Sequence, residues 1–262
     1  MNPLRRVRRS LRRLRVVGHY SQASFRAATA SGRLDFRGGS AFQFRDAETT
    51  RYTFHEIFID RDYAFPGLRG AEVVIDAGAN IGLFTWYAIR QSPAARVYCF
   101  EADPDTFELL SANVEANQLA NVRVYNAAVS DVPASTADFY SSERSGHSSL
   151  YPVRGAAHSP RLQVPTVRLS DFILGEAIER VDFLKIDIEG AEYAVLLGDQ
   201  RLLELDIRSL VAEVDRSPRD SRYSFGGLIE ALRACYAVVE VREGSAGSEY
   251  PLVRCTERRS AG

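Results

Sequence analysis

Residues 73–82 read VVIDAGANIG. The apolar, β-branched start predicts a buried strand that ends at Asp76, and Gly78 then allows a tight turn into a helix that Asn80 caps, opening at Ile81. The glycine spacing is Gly-x-x-x-Gly, whereas dinucleotide sites favour GxGxxG. An acid before the turn repels a pyrophosphate and attracts a cation. The stretch therefore disfavours NAD(P) and FAD and favours a cationic ligand that carries an amino acid.

Four later apolar runs resemble this first strand, and their nearly continuous apolar character is typical of central strands covered on both faces. They are RVYCFEA (96–102), VRVYNAAV (122–129), VDFLKIDI (181–188) and SLVAEV (209–214). Helix-start signals lie between the runs at Asp103-Pro104, Ser170-Asp171 and Ser224. Alternating strands and helices predict an α/β fold with a parallel sheet and right-handed crossovers. Residues 236–254 predict a final antiparallel hairpin.

The stretch from Pro133 to Pro165 breaks this alternation. Five serines lie between Ser141 and Ser149, among scattered Gly and Pro. We predict a long loop here. Because loops of this length inside a compact domain are usually functional or disordered, we expect it near whatever the protein binds.

Acidic residues end two of the predicted strands. Glu101 ends the second strand, where a carboxylate can accept both hydroxyls of a ribose; the alternative is a solvated turn residue. Asp187 and Glu189 lie two residues apart as a strand leaves the sheet, so both point to the same side. Such a pair can bind a metal, move a proton or hold a polar substrate; alternatively, Glu189 caps the next helix and Lys185 makes an ordinary ion pair. Spacing identifies no third ligand, so we predict no metal site.

Together these elements resemble the class I S-adenosylmethionine-dependent methyltransferases and, more narrowly, the FkbM family. VVIDAGANIGLFT, FEADP, NAAVSD and VDFLKIDIEGAE occur in that family's order and spacing, over about residues 54–213. The resemblance implies a Rossmann-like fold: a seven-stranded, mostly parallel sheet with an antiparallel C-terminal hairpin and helices on both faces. It also implies S-adenosyl-L-methionine as the cofactor, bound at the strand ends.

The resemblance further implies which residues hold that cofactor. They are Asp76, Gly78, Asn80 and Gly82 around the methionine moiety, Glu101 at the ribose hydroxyls, Asp103, Asn126, Ala127 and Ala128 beside the adenine, Glu56 and Tyr63 closing over the methionine end, and Asp187. HSSL, residues 147–150, is similar to the family's Ser-rich loop near the cofactor.

Methyl transfer from a sulfonium is an in-line displacement, so alignment and removal of the acceptor's proton are the main contributions. Our hypothesis is that Asp187 or Glu213, at the end of the next strand, orients and deprotonates a hydroxyl; Glu189 and His147 are the other candidate bases. The family resemblance favours O-methylation of a small polar metabolite or glycan, such as a sugar or a polyketide- or peptide-derived intermediate. Two alternatives are a nicotinamide-dependent oxidoreductase and a non-catalytic nucleoside-binding protein.

The first fifteen residues carry seven arginines and no acid, while the whole chain has a net charge of −1. The remainder therefore carries −8, which is unsuited to a polyanion, and we expect no nucleic-acid partner. Leu4, Val7, Leu11 and Leu14 follow a helical spacing, which predicts a short basic amphipathic helix. It is interpreted as a solvated or partly ordered tail or, alternatively, as a weak peripheral contact with an anionic membrane or another acidic partner.

The composition of the 262 residues, 45% hydrophobic and 26% charged, is that of a soluble globular chain and argues against wholesale disorder or a disulfide scaffold. We predict a basic N-terminal arm over residues 1–20, an N-terminal approach or cap over 21–70 and a methyltransferase domain over 71–262. No apolar run approaches the roughly 20 residues that span a bilayer, and the arm lacks the apolar core of a secretory signal. The sequence therefore predicts a cytoplasmic protein.

Overall fold

The computed structural model describes residues 3–19, 21–132, 136–142, 148–152, 160–243 and 250–259. Its N-terminal part is built from short elements, namely α1 (Pro3–Val17), α2 (Gln22–Ala28), β1 (Arg33–Asp35), β2 (Ala41–Gln43) and α3 (Ala47–Phe54). A π-helical turn, His55–Asp60, continues α3 directly. Strands β1 and β2 pair antiparallel as a separate two-stranded ribbon.

The basic arm is not a solvated tail: it is helix α1, which packs on the molecule. Val17 and the side chain of Arg13 are buried, and Arg9 forms an ion pair with Asp60. The approach segment that follows shares a core with the central sheet, since buried Phe54 belongs to the same apolar cluster as Val74. Burial of apolar side chains therefore holds the N-terminal elements against the sheet.

From residue 73 onward, strands and helices alternate before and after a small second sheet. In chain order they are β3 (Val73–Ala77), α4 (Leu83–Gln91), β4 (Arg96–Glu101), α5 (Pro104–Ala116), β5 (Val122–Asn126), β6 (Ala128–Val129), β7 (Thr136–Tyr140), β8 (Arg161–Val167), α6 (Leu169–Gly175), β9 (Phe183–Ile186), β10 (Leu210–Glu213), α7 (Phe225–Cys235), β11 (Tyr236–Arg242) and β12 (Leu252–Arg258).

The central sheet has seven strands in the order β11-β12-β10-β9-β3-β4-β5. Strands β3, β4, β5, β9 and β10 are parallel, while β12 runs antiparallel to both β10 and β11. Neighbouring side chains of β3 enter opposite cores, Val74 on the side of the N-terminal elements and Ile75 on the other. The predicted parallel α/β sheet with a closing antiparallel hairpin is confirmed.

Two of the predicted helix starts are confirmed and two are wrong. Asp103 caps α5, accepting hydrogen bonds from the backbone N–H groups of Asp105 and Thr106, and Ser224 caps α7. Helix α4 begins later than predicted, because Gly82 at φ +91° takes the cap position in place of Asn80. Helix α6 begins at Leu169, so Ser170 lies inside it, where its N–H and hydroxyl both donate to the buried Asp199.

The prediction of a continuous loop from Pro133 to Pro165 is wrong in part. Strands β7 and β8 pair antiparallel, and β6 pairs parallel with β8, so three short strands form a separate sheet. The run from Val122 to Val129, predicted as one strand, divides between two sheets because Ala127 interrupts it. The second sheet thereby places Phe139, on β7, beside the ends of the central strands.

No helix in the described ranges combines the length and the apolar character needed to cross a membrane.

Candidate active site

A cavity of about 440 Å³ opens at the carboxyl ends of the parallel strands, which is where ligands bind in open α/β sheets. Its volume lies within the roughly 300–1,000 Å³ of small-molecule sites. Side chains of α3 and the π-helical turn wall it on one side, among them Thr49, Thr53 and Glu56. The loops that follow β3, β4 and β9 form the opposite walls. The cavity therefore collects residues from distant parts of the sequence.

The turn after β3 brings the backbone of Gly78 against the strand β9 region. Gly78 has φ +79°, and a Cβ built on it would lie 1.7 Å from the carbonyl oxygen of Asp187. Its N–H and that of Ala79 both donate to the carbonyl of Phe100, at 3.0 and 2.9 Å. A residue without a side chain is therefore required where these two loops meet.

Asp76 lies behind this turn and not on the cavity wall. Its side chain is fully buried and accepts a 2.7 Å hydrogen bond from the Thr85 hydroxyl. In the pairing of β3 with β9 it stands opposite Lys185, whose ammonium lies 3.2 Å from its carboxylate. Asp76 thus supports the site through Lys185, and a direct contact with a ligand stays a prediction.

Lys185 is the centre of a buried ionic network, for which the sequence analysis offered only an ordinary ion pair as an alternative interpretation. Its ammonium lies 3.3 Å from the carboxylate of Asp187 and donates to the carbonyl of Gly78 at 2.9 Å. Burial alone would lower the pKa of Lys185, but the carboxylates of Asp76 and Asp187 raise it above its ordinary value. One cation therefore fixes the turn after β3 and the acid at the end of β9. A lysine inside the otherwise apolar FLKI was the available signal.

Glu101 lies on the cavity wall at the end of β4, as predicted for the carboxylate of a ribose site. It accepts hydrogen bonds from the backbone N–H groups of Asn80 at 2.9 Å and Asp103 at 3.0 Å. Burial raises its pKa to about 7, although the two N–H donors lower it. Asn80, whose N–H makes this contact, has φ +49°. The carboxylate thus joins the turn after β3 to the start of α5.

An apolar slot adjoins Glu101. It is lined by Ala102, Ala127, Ala128, Val129, Phe139 and Leu150, with Ser148 at its edge. Asp103 and Asn126, predicted beside the adenine, lie behind this wall: Asp103 accepts from the Ser141 hydroxyl at 2.8 Å, and the Asn126 amide donates to the carbonyl of Glu101 at 2.9 Å. Gly82 likewise caps α4 outside the wall. A slot walled by small and aromatic side chains suits the flat ring of a nucleobase.

The other end of the cavity is acidic. Glu56, Asp187, Glu189 and Glu213 all reach it, and buried Tyr63 borders it. Glu213 follows Ala212, which pairs with Ile186, so Glu213 and Asp187 stand side by side at the ends of neighbouring strands. Burial, followed by the charges of Glu213 and Asp187, raises the pKa of Glu56 well above its usual range. The sequence-predicted acids of three elements are therefore brought together.

The loop after β9 is held by Glu192, a residue the sequence reasoning left without a role. Its buried carboxylate accepts from the N–H groups of Ile188 and Gly190, both at 3.0 Å. Both N–H groups belong to the loop before the next helix, so Glu192 binds this loop and neither bond is the helix cap considered for Glu189. Glu189 instead has φ +59° and lines the cavity, and burial raises its pKa well above the ordinary value. Glu192 keeps the backbone in the shape that presents Asp187 and Glu189.

Two further site predictions concern a candidate base and a metal site. His147, a candidate base, lies outside the described residues. Within the described ranges, no three His, Cys, Asp or Glu side chains are placed to hold a metal ion.

The strand order, the glycine turn and the acid at the end of β4 define a protein with the class I methyltransferase fold. A family model described as the methyltransferase FkbM domain matches residues 76–238. The chain therefore belongs to the FkbM methyltransferase family.

Three relatives of the chain are named as methyltransferases. Methyltransferase 1 of Beauveria bassiana is 34% identical over 161 residues, covering 55% of this chain and 64% of that protein. The 31-O-demethyl-FK506 methyltransferase FkbM of Streptomyces tacrolimicus is 29% identical over 258 residues, covering 87% of this chain and 97% of the relative. The 2-O-methyltransferase NoeI of Sinorhizobium fredii is 26% identical over 145 residues, covering 50% of this chain and 58% of that protein.

Proposed function

We propose that the chain is an S-adenosylmethionine-dependent O-methyltransferase that acts on a hydroxyl of a small polar metabolite or glycan. The observation that carries the proposal is that the two ends of the cavity differ in their chemistry. A carboxylate and an apolar slot at one end suit a nucleoside, whereas the other end gathers carboxylates that suit a hydroxyl acceptor. The names of two relatives, a 31-O-demethyl-FK506 methyltransferase and a 2-O-methyltransferase, support transfer to oxygen.

The residues present fit this cofactor. The backbone of Gly78 lines the cavity, where it can approach the methionine portion, and the Glu101 carboxylate on the same cavity can accept the ribose hydroxyls. When bound, S-adenosylmethionine supplies an electrophilic methyl group on a sulfonium. The acidic end of the cavity suits that positive charge. Lys185 keeps Gly78 and Asp187 in a fixed relation, so the donor and acceptor ends are aligned by one buried ammonium.

At the acceptor end, Asp187 or Glu213 accepts the proton of the incoming hydroxyl. The Asp187 carboxylate lies 3.3 Å from the Lys185 ammonium, and Glu213 stands next to Asp187 at the end of β10. Glu56, whose raised pKa favours the neutral acid, can donate a hydrogen bond to a second acceptor oxygen. Positioning and proton removal are the two contributions that methyl transfer to an alcohol requires.

The Glu101→Gln variant tests the nucleoside end. We expect calorimetry with S-adenosylhomocysteine to give about tenfold weaker binding, because a hydrogen bond to a charged acceptor becomes a neutral one. The ionised acid binds hydroxyls better, so wild-type affinity rises as the pH increases through about 7, and the variant loses most of this dependence. Exposed Glu108→Gln is the control. Equal affinities in all three proteins contradict the ribose role, and binding of NADH in place of the donor product favours an oxidoreductase.

The charge of the acceptor is a second testable feature. Because the acceptor end carries several acids, we expect neutral and cationic hydroxyl compounds to be methylated and anionic ones to be rejected. The rate of methyl transfer from a labelled donor is measured for neutral sugars, amino sugars and sugar phosphates. The expected kcat/KM of a phosphate is at least roughly tenfold below that of its neutral partner. A preference for the phosphate contradicts the proposal, and donor binding without turnover of any compound favours a non-catalytic protein.

A further inference from the structure

Helix α1 has two faces, and one of them packs against the protein. Arg9 pairs with Asp60, Arg12 donates to the carbonyl of Ile59, and Arg13 lies 3.2 Å from the ring of His55. The carbonyl of Val16 accepts from the N–H of Arg37 at 2.8 Å. These contacts fix the rotation of the helix on the π-helical turn, whose Glu56 and Ile57 line the cavity.

The opposite face of α1 is apolar and exposed. Leu4, Val7 and Leu11 are 70%, 47% and 46% exposed, and their spacing of three and four residues places them in one stripe over two turns. Exposed arginines border the stripe: Arg8 follows Leu4 by one turn, and Arg15 follows Leu11 by one turn. The docked arginines point away from this stripe, so the fold holds it outward.

We propose that this face of α1 is a docking surface for an anionic lipid bilayer, with the helix lying in the plane of the interface. An apolar stripe flanked by arginines, with no acid in the first fifteen residues, matches the acyl boundary and anionic headgroups of such a surface. Three side chains over two turns are too few for the roughly 800 Å² per partner of a stable dimer. The π-helical turn that lines the cavity packs directly against α1, because Ile59 and Asp60 accept hydrogen bonds from its arginines.

Co-sedimentation of the full chain with vesicles tests this proposal. Vesicles of phosphatidylcholine alone are compared with vesicles that contain one third phosphatidylglycerol, at low and high salt. We expect binding to the anionic vesicles that is at least tenfold tighter than to the neutral ones and that weakens with salt. The variant Leu4→Ser/Val7→Ser/Leu11→Ser is expected to lower binding at least tenfold while its thermal unfolding is unchanged, since all three side chains are exposed.

The control variant Val132→Ser/Leu174→Ser removes side chains that are 52% and 51% exposed elsewhere on the surface, and it is expected to bind like the wild type. Undiminished binding of the triple variant overturns the proposal, because arginine charge alone then explains the association. A dimer that dissociates in the triple variant, together with no vesicle binding, also overturns it and assigns the stripe to a second copy of the chain.

Discussion

Replacing Gly78 with alanine is expected to weaken binding of S-adenosylhomocysteine by roughly 100-fold or more. The added Cβ would lie 1.7 Å from the carbonyl oxygen of Asp187, closer than non-bonded atoms approach, so one of the two loops has to move. Both loops border the cavity, and the Lys185 ammonium bonds to both. The shift therefore disturbs the donor end and the acceptor end together. Calorimetry gives the affinity, and thermal unfolding shows that the variant is folded.

Gly70→Ala is the matched control for this variant. Gly70 has φ +75°, close to the +79° of Gly78, but a Cβ on it meets no heavy atom of the described chain within 4 Å. Both substitutions place an alanine at positive φ, which costs about 1 kcal/mol of stability. They differ because the Cβ overlaps the carbonyl oxygen of Asp187 in Gly78→Ala alone. We expect Gly70→Ala to bind like the wild type. Similar affinities for the two variants contradict the view that close approach of the two loops shapes the site.

The central sheet was predictable because its strands carry their own signal. A strand buried on both faces reads as a continuous apolar run, and β3, β4, β9 and β10 fit this pattern. The prediction of a central strand is wrong for β5, which lies at the edge of the sheet and is mostly half-buried. Strands β7 and β8 carry no such signal. Strand β7 is mostly half-buried, and β8 is exposed along much of its length. Strand β8 also contains Pro165, and a proline argues against a strand interior. Pairing between them stabilises both, and pairing cannot be read from either segment alone.

The helix starts show a different limit. Asp103 and Ser224 were predicted correctly because a polar cap precedes an apolar helix and bonds to its first N–H groups. At Asn80 the same signal failed. The Glu101 carboxylate accepts the Asn80 N–H, and Asn80 has positive φ, so the turn extends to Gly82. A contact between residues 21 apart thus overrides the local capping preference.

The candidate site was predictable where topology alone decides it. The carboxyl ends of parallel strands meet at one edge, so Glu101, Asp187 and Glu213 were expected to converge on one cavity. The role of Lys185 was not predictable in this way. It depends on the register of β3 against β9, which sets Asp76 opposite Lys185 across more than 100 residues of sequence. Only the family resemblance predicted that Glu56 reaches the site. Glu56 lies on the N-terminal elements and not at the end of a sheet strand, so the topology of the sheet says nothing about it.

The proton-accepting role of Asp187 or Glu213 leads to the other large expected effect. Single-turnover methyl transfer is measured with Asp187→Asn and Glu213→Gln, using an acceptor from the sugar panel. We expect the variant that lacks the base to be slower by about 10²- to 10⁴-fold, the usual contribution of general base catalysis.

Two features of the structure make this comparison decisive. Asp187 forms an ion pair with Lys185, so the Asp187→Asn variant also removes one partner of that buried ammonium. Glu213 lies beside Asp187, at the end of β10. The double variant is therefore expected to be hardly slower than the slower single variant, because residues that act as one unit are not additive. Asp206→Asn is the control, since Asp206 is a half-exposed acid that lies before the opposite end of β10 and pairs with Arg208 on the surface. If neither Asp187→Asn nor Glu213→Gln slows the reaction, the acidic end of the cavity positions the acceptor without accepting its proton.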